Sequence, residues 1–188
     1  MSVSRMFVAI VPPDSVVEHL DEFLSVRREA AAFRWSAPEQ WHVTLAFAES
    51  LPERGLDELE ELLVDAAARR PSFGMRVSGG GAFPHADGAR VLYSGLDADD
   101  AGTLGQLSAG CRSALSRAGA PVDGQRFHPH LTLARLGRPA NVTSWVRLLD
   151  AYDGPRWEVD EVALVASHLG EGPRRRPRHE VVGTYALG

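Results

Sequence analysis

The chain has 188 residues, of which 44% are apolar and 24% charged; this is ordinary for a globular protein and long enough to bury a core. The formal net charge of −5 excludes a broad electrostatic footprint for duplex nucleic acid, while leaving room for a small site that grips one or two phosphates. The single cysteine, Cys111, excludes an internal disulfide, and no Cys/His spacing has the form of a zinc site.

Residues 6–11 (MFVAIV) form a short apolar, β-prone run stopped by Pro12 and Pro13. Val16, Val17, Leu20, Phe23 and Leu24 fall on one face of a helix expected from residue 14 or 15 to about 32. Residues 33–36 read as a short strand, 38–39 as a turn and 41–47 as a strand. A second amphipathic helix is expected over 52–70, carried by Leu56, Leu59, Leu62, Leu63 and Ala66. Strands are expected at 73–77 and 91–96, separated by Gly79, Gly80 and Gly81 as a mobile or tightly turning segment and by a turn at 84–88. A third helix over 99–118, a strand at 131–136 and a short helix at 141–149 follow. Closing strands are expected at 159–169 and 180–187, joined by a loop at 170–177. Helices and strands alternate throughout with no linker, which gives a mixed α/β architecture without fixing strand direction.

One feature goes beyond this pattern. HVTLAF at 42–47 and HLTLAR at 130–135 are near copies, about half a chain apart, each on a predicted strand. Strand side chains alternate faces, so His42 and Thr44 point one way while Val43 and Leu45 point the other; His130 and Thr132 do the same against Leu131 and Leu133. If the two strands lie side by side, two imidazoles and two hydroxyls line one cleft. A neutral imidazole can take a proton from water and a protonated one can give a proton to a leaving alkoxide, both near neutral pH. The hydroxyls can donate to the phosphate oxygens on which charge develops. The set requires no metal and no cofactor. A duplicated strand without chemistry accounts for the repeated apolar positions but not for the recurrence of both histidines and both threonines.

The chain resembles the 2H phosphoesterases, in particular the RNA 2',3'-cyclic phosphodiesterases also called 2'-5' RNA ligases. The resemblance rests on RMFVAIVPP, FRWSAPEQWHVTLAF, FPHADGARVLYSGL and RFHPHLTLARL, and it covers nearly the whole chain. It implies an α+β, bilobal, pseudo-symmetric fold over residues 1–188, with two small antiparallel sheets backed by helices, a cleft between them and one motif from each of two intertwined lobes. It implies hydrolysis of RNA 2',3'-cyclic phosphate ends to 2'-phosphates, with reverse 2'-5' ligation from the same site. A small cyclic nucleotide or ADP-ribose cyclic phosphate is the alternative substrate, and a non-catalytic nucleotide-binding module the alternative class. His42 and His130 fall on the catalytic histidines, Thr44 and Thr132 on phosphate-binding threonines, and Arg135 on a phosphate-contacting arginine. His130 is implied as the base and His42 as the acid. Phe47 falls on a common aromatic of the family.

Two departures stand out. Trp41 precedes the first histidine where leucine is frequent, and is expected in the core. His179 lies where the family tail has a tyrosine after a Gly-Pro turn, and is a candidate substrate contact. His128, two residues before His130, is a further candidate contact, with a structural role preferred. His85 reads as a loop residue, and Trp35, Trp145 and Trp157 as packing residues. The basic run Arg174, Arg175, Arg176 and Arg178 either steers RNA or forms a solvated loop. The triple glycine lacks the ending of a P-loop. No run reaches transmembrane length, and the opening apolar run is too short for a signal peptide. A cytoplasmic protein is therefore expected, monomeric, with RNA ends or small cyclic nucleotides as its partners and no obligate protein partner or membrane.

Overall fold

Alternation of apolar residues decides which face of each strand is buried. The computed structural model describes residues 2–188. Its strands are β1 (Val3–Ile10), β2 (Arg34–Trp35), β3 (Val43–Pro52), β4 (Phe73–Phe83), β5 (Ala89–Ala98), β6 (Leu131–Ala140), β7 (Trp157–Val159), β8 (Glu161–His168) and β9 (Arg178–Ala186). Its α-helices are α1 (Asp14–Arg28), α2 (Leu56–Ala68), α3 (Ala101–Arg117) and α4 (Thr143–Asp150).

The strands run in the order β7-β4-β5-β6-β3-β1-β8-β9, with β2 added alongside β6, and every pairing is antiparallel. The sheet is two antiparallel halves meeting at β3 and β6 through one residue pair, Val43 opposite Leu131. These residues hold the same place in the two repeats. Because the pairing is antiparallel, a local twofold relation runs between the motifs. His42 then lies alongside Thr132, and His130 alongside Thr44, all four on the face opposite the paired apolar residues.

Val43 is fully buried in one core, with Met6, Val8 and Ile10 of β1, Leu59 and Leu63 of α2, Leu107 and Leu115 of α3, and Leu164 of β8. Leu131 is buried in the other, with Val16, Leu20 and Leu24 of α1, Leu92 of β5 and Leu149 of α4. Two helices thus cross over. Helix α1 leaves β1 to pack behind β6, and α3 leaves β5 to pack behind β3. Asp100 caps α3, accepting from the Thr103 amide at 3.0 Å and the Thr103 hydroxyl at 2.7 Å. Inside α3, the Ser108 hydroxyl donates to the Leu45 carbonyl at 2.6 Å, tying the helix to the motif strand. A third, small apolar cluster of Phe7, Ala9, Ala163 and Val165 lies on the opposite face of β1 and β8.

The bilobal α+β arrangement implied by the resemblance is the one observed, with three local differences. The triple glycine lies inside β4 rather than in a turn, at an irregularity of register between Val77 and Gly80. Gly79 takes the left-handed φ of 76°. A Cβ on Gly81 would stand 2.3 Å from the Tyr93 ring, and one on Gly80 2.5 Å from Leu149 Cβ. Glycine here lets a helix and an aromatic ring lie directly on the strand. Second, α1 ends at Arg28, short of residue 32. Third, β7 was not expected, because three residues are too few to show a period. Trp41 is 3% exposed, as expected of a core residue, and its indole N–H is buried without a hydrogen-bond partner among the described residues. Trp35 and Trp145 pack edge to face at 5.1 Å.

Since α1 belongs by sequence to one half and by packing to the other, Leu24→Ala is expected to destabilise the whole molecule by about 2–5 kcal/mol in a single unfolding transition. Calorimetry or urea unfolding by two probes checks this; two separated transitions would show that the halves fold independently.

Candidate active site

The cleft over the junction is lined by His42 and Thr44 from the first motif and by His130, Thr132 and Arg135 from the second, and it encloses about 270 Å³. Arg34 and Ser36 enter from β2 and the residue after it. That short strand is held to β6 by the pairing of Arg34 with Arg135 and by the Ser36 amide on the Leu133 carbonyl at 2.8 Å. Gln40, Arg176, Pro177 and His179 complete the wall. Three arginines and three histidines thus face one space that, among the described residues, no carboxylate lines, a local positive field within an acidic chain.

Both motif imidazoles are fixed in the same way. His42 Nδ1 lies 2.7 Å from the Gln40 carbonyl, and His130 Nδ1 lies 2.7 Å from the His128 carbonyl. A carbonyl only accepts, so Nδ1 carries the hydrogen in each ring and Nε2 is left with its lone pair when the ring is neutral. In each motif, then, the carbonyl two residues upstream sets the tautomer.

The surroundings of the two rings differ. His42 stacks on Phe7 with centroids 4.5 Å apart and meets His179 edge-on at 5.6 Å. Burial pushes its pKa from 6.5 down to about 4, opposed by the Gln40 bond and reinforced by the charges of His179, His130 and Arg135. His130 sits against Phe83 at 5.0 Å and Tyr93 at 5.3 Å. Its pKa is also lowered by burial, against the His128 bond. The pKa of His179 is lowered by burial as well. In the absence of an anion, the two motif rings are therefore neutral at physiological pH.

Among the residues expected at the site, His42, Thr44, His130, Thr132, Arg135 and His179 share the cleft. Phe47 and His128 do not line it. They line an adjoining groove, which borders the cleft at Thr44 and His130. His128 precedes β6 and does not extend it as a strand. Its Nε2 lies 3.1 Å from the Tyr93 hydroxyl. Of the basic run, Arg176 alone lines the cleft, and its Nη1 donates to the Trp35 carbonyl at 2.6 Å. Gln40 Nε2 donates to the Pro177 carbonyl at 2.9 Å, so the loop at 170–177 is strapped across to the opposite half. Arg174 and Arg175 have φ of 55° and 60° and lie on that strap, while Arg178 pairs with Glu171 at 2.9 Å. Arg34, Ser36, Gln40 and Pro177 carry no motif, and sequence reasoning missed them. The only signal was that FRWS is a short strand with a single charge. Among the described residues, no group of three or more His, Cys, Asp or Glu side chains is placed to hold a metal ion.

The model of the 2'-5' RNA ligase superfamily matches residues 12–171. The chain belongs to this superfamily. It is 31% identical over 168 residues to an RNA 2',3'-cyclic phosphodiesterase of Thermus thermophilus, a match covering 88% of this chain and 82% of that one. It is 35% identical over 148 residues to a protein of the same name from Aeropyrum pernix, covering 76% of this chain and 82% of the other. The superfamily fold extends over the whole molecule: E. coli LigT, crystallised with 3'-AMP, superposes with a TM-score of 0.78 at 25% identity, covering 99% of each chain. Among the described residues, no helix is long and apolar enough to cross a membrane.

An anion in the cleft favours protonation of the imidazoles around it, so anion binding and proton uptake are linked. The affinity for sulfate, which keeps its charge across this range, is expected to rise as pH falls from neutrality toward about 4. The rise is at most about tenfold per pH unit for each imidazole that takes up a proton. Calorimetric titration of sulfate at several pH values measures it, and a flat profile would mean that the rings do not face the anion.

Proposed function

We propose that this protein hydrolyses the 2',3'-cyclic phosphate at RNA ends to a 2'-phosphomonoester, without a metal, using His130 as general base and His42 as general acid. One observation carries the reading: two imidazoles with identical backbone tethers and free Nε2 atoms face a single arginine-lined cleft across the junction of the halves. The names of the Thermus and Aeropyrum relatives support the reaction.

The phosphate rests between the Thr44 and Thr132 hydroxyls. Arg135, with Arg34 and Arg176, balances the charge that grows on its non-bridging oxygens. Water enters on the side of His130, whose ring also borders the adjoining groove. His130 takes the water proton as the oxygen bonds to phosphorus. The bond from phosphorus to the 3' oxygen breaks on the far side, and His42 supplies that oxygen with a proton. His42 stays neutral under Phe7 and His179 until the phosphate arrives. The substrate's own charge then raises its pKa and loads the acid.

His42→Ala and His130→Ala are each expected to lower turnover on the order of 10²–10⁴-fold, while Thr44→Ala or Thr132→Ala weakens phosphate binding with a smaller loss of rate. The assay is an oligoribonucleotide with a 2',3'-cyclic phosphate end, incubated with EDTA and followed by phosphorus NMR. A 2'-phosphate is the expected product; a 3'-phosphate, or arrest by EDTA, would overturn the mechanism. A substrate with sulfur at the bridging 3' position tests the order of the two histidines, because a thiolate leaves without a proton. Such a substrate should restore most of the His42→Ala loss and none of the His130→Ala loss; the opposite pattern would exchange the two roles.

A further inference from the structure

The two motif imidazoles hang on carbonyls that no strand ladder holds. Regular pairing begins at Val43 in β3 and at Leu131 in β6, whereas the tethering carbonyls belong to Gln40 and His128. Gln40 closes a single helical turn, Pro38–Gln40, and His128 lies in a stretch, 120–130, without regular structure. A peptide group in such a segment can rotate about its flanking dihedrals, and a ring tied to it rotates as well.

In both motifs, the residue that lends the carbonyl also ties down its own backbone through its side chain. Gln40 Nε2 donates to the Pro177 carbonyl at 2.9 Å, across the opening of the cleft. His128 Nε2 lies 3.1 Å from the Tyr93 hydroxyl on β5. Glutamine and histidine share little here beyond their place, two residues before the motif histidine, and a side chain that ends in a hydrogen-bonding nitrogen.

The Tyr93 end of the second tie is itself built in. Tyr93 stands opposite Thr132 in the β5–β6 register, which puts its ring on the cleft face of that half. The ring stacks on Phe83 at 4.5 Å and meets His130 at 5.3 Å. A Cβ on Gly81 would run into the hydroxyl, so glycine there clears the place from which the hydroxyl reaches His128. Burial raises the Tyr93 pKa, which keeps the phenol protonated.

We infer that Gln40 and the Tyr93–His128 pair are positioning residues, each serving the histidine of its own motif: Gln40 aims His42, and Tyr93, through His128, aims His130. Loss of one side-chain bond frees one carbonyl and leaves the other in place. One ring then loses its fixed tautomer and orientation while the other keeps both. The effect on rate rests on the reading of the two rings as acid and base at a cyclic phosphate; the effect on the rings themselves does not.

Long-range proton–nitrogen NMR of the labelled full-length protein near neutral pH reads the tautomer of each ring. In the wild type, His42 and His130 should both carry the hydrogen on Nδ1. Gln40→Met, which keeps the length of the side chain and removes its amide, should let the Nε2-protonated form of His42 appear and leave His130 unchanged. Tyr93→Phe, which removes one oxygen and keeps the ring, should do the reverse. His128→Gln, whose amide can meet the same hydroxyl, should hold His130 much as the wild type does. On a 2',3'-cyclic phosphate end, Gln40→Met and Tyr93→Phe should each lower kcat on the order of tenfold with KM little changed. The substrate with sulfur at the bridging 3' position should restore Gln40→Met, as it should His42→Ala, and should not restore Tyr93→Phe. Unaltered tautomers in both variants would overturn the inference. So would equal disturbance of both rings by either variant, or a loss confined to KM, which would make Gln40 or Tyr93 a direct substrate contact. Tautomers that shift as expected in a protein that does not hydrolyse the cyclic end would leave the positioning in place and sink the cyclic-phosphate reading.

Discussion

The contact of Val43 with Leu131 is where the molecule becomes one object. Each residue is buried in a different core, and each stands one position after a histidine. The antiparallel register of this pair turns a tandem repeat in sequence into two facing copies in space, with both imidazoles and both threonines on one face. The crossing of α1 and α3 serves the same end. With the helix of each half packed behind the strand of the other, the junction cannot slip without exposing both cores.

The chemistry then follows from what surrounds the four polar side chains. Burial strips the imidazoles of solvent and favours their neutral forms, and arginines in place of carboxylates deepen that preference. Such a site is ill suited to a cation and well suited to an anion that brings its own charge. The two motifs are alike in backbone tether and unlike in environment. The ring of His42 is covered by Phe7 and His179, while that of His130 opens onto the groove. Equal geometry with unequal access lets two chemically identical side chains divide the work of acid and base.

Much of this was legible in the chain because it is periodic. The helical spacing of Leu56, Leu59 and Leu63, and the repeat HVTL and HLTL, carry the elements and the centre of the site directly. What could not be read comes from contacts remote in sequence. Nothing in FRWSAPEQ marks Arg34, Ser36 and Gln40 as cleft residues; they become so because two residues of β2 pair with β6. Arg176 is indistinguishable from Arg174 and Arg175 in sequence, and only the carbonyl of Trp35 singles it out. The triple glycine suggests a turn by composition, whereas Leu149 and the Tyr93 ring need a strand with no side chain in their way. His128 and Phe47 were drawn toward the chemistry by their nearness to the motifs, and the end of regular pairing before Leu131 sets His128 apart.

The strap formed by residues 170–177 bears on the mechanics of the cleft. Two sheets joined at one residue pair resemble a door on a single pin, free to swing. The hydrogen bonds from Arg176 to Trp35 and from Gln40 to Pro177 add a second fastening on the other side of the opening. A second fastening opposes the widening that a single pin would permit. The loop that carries Arg176 and Pro177 to the cleft wall is thus also a brace between the two halves.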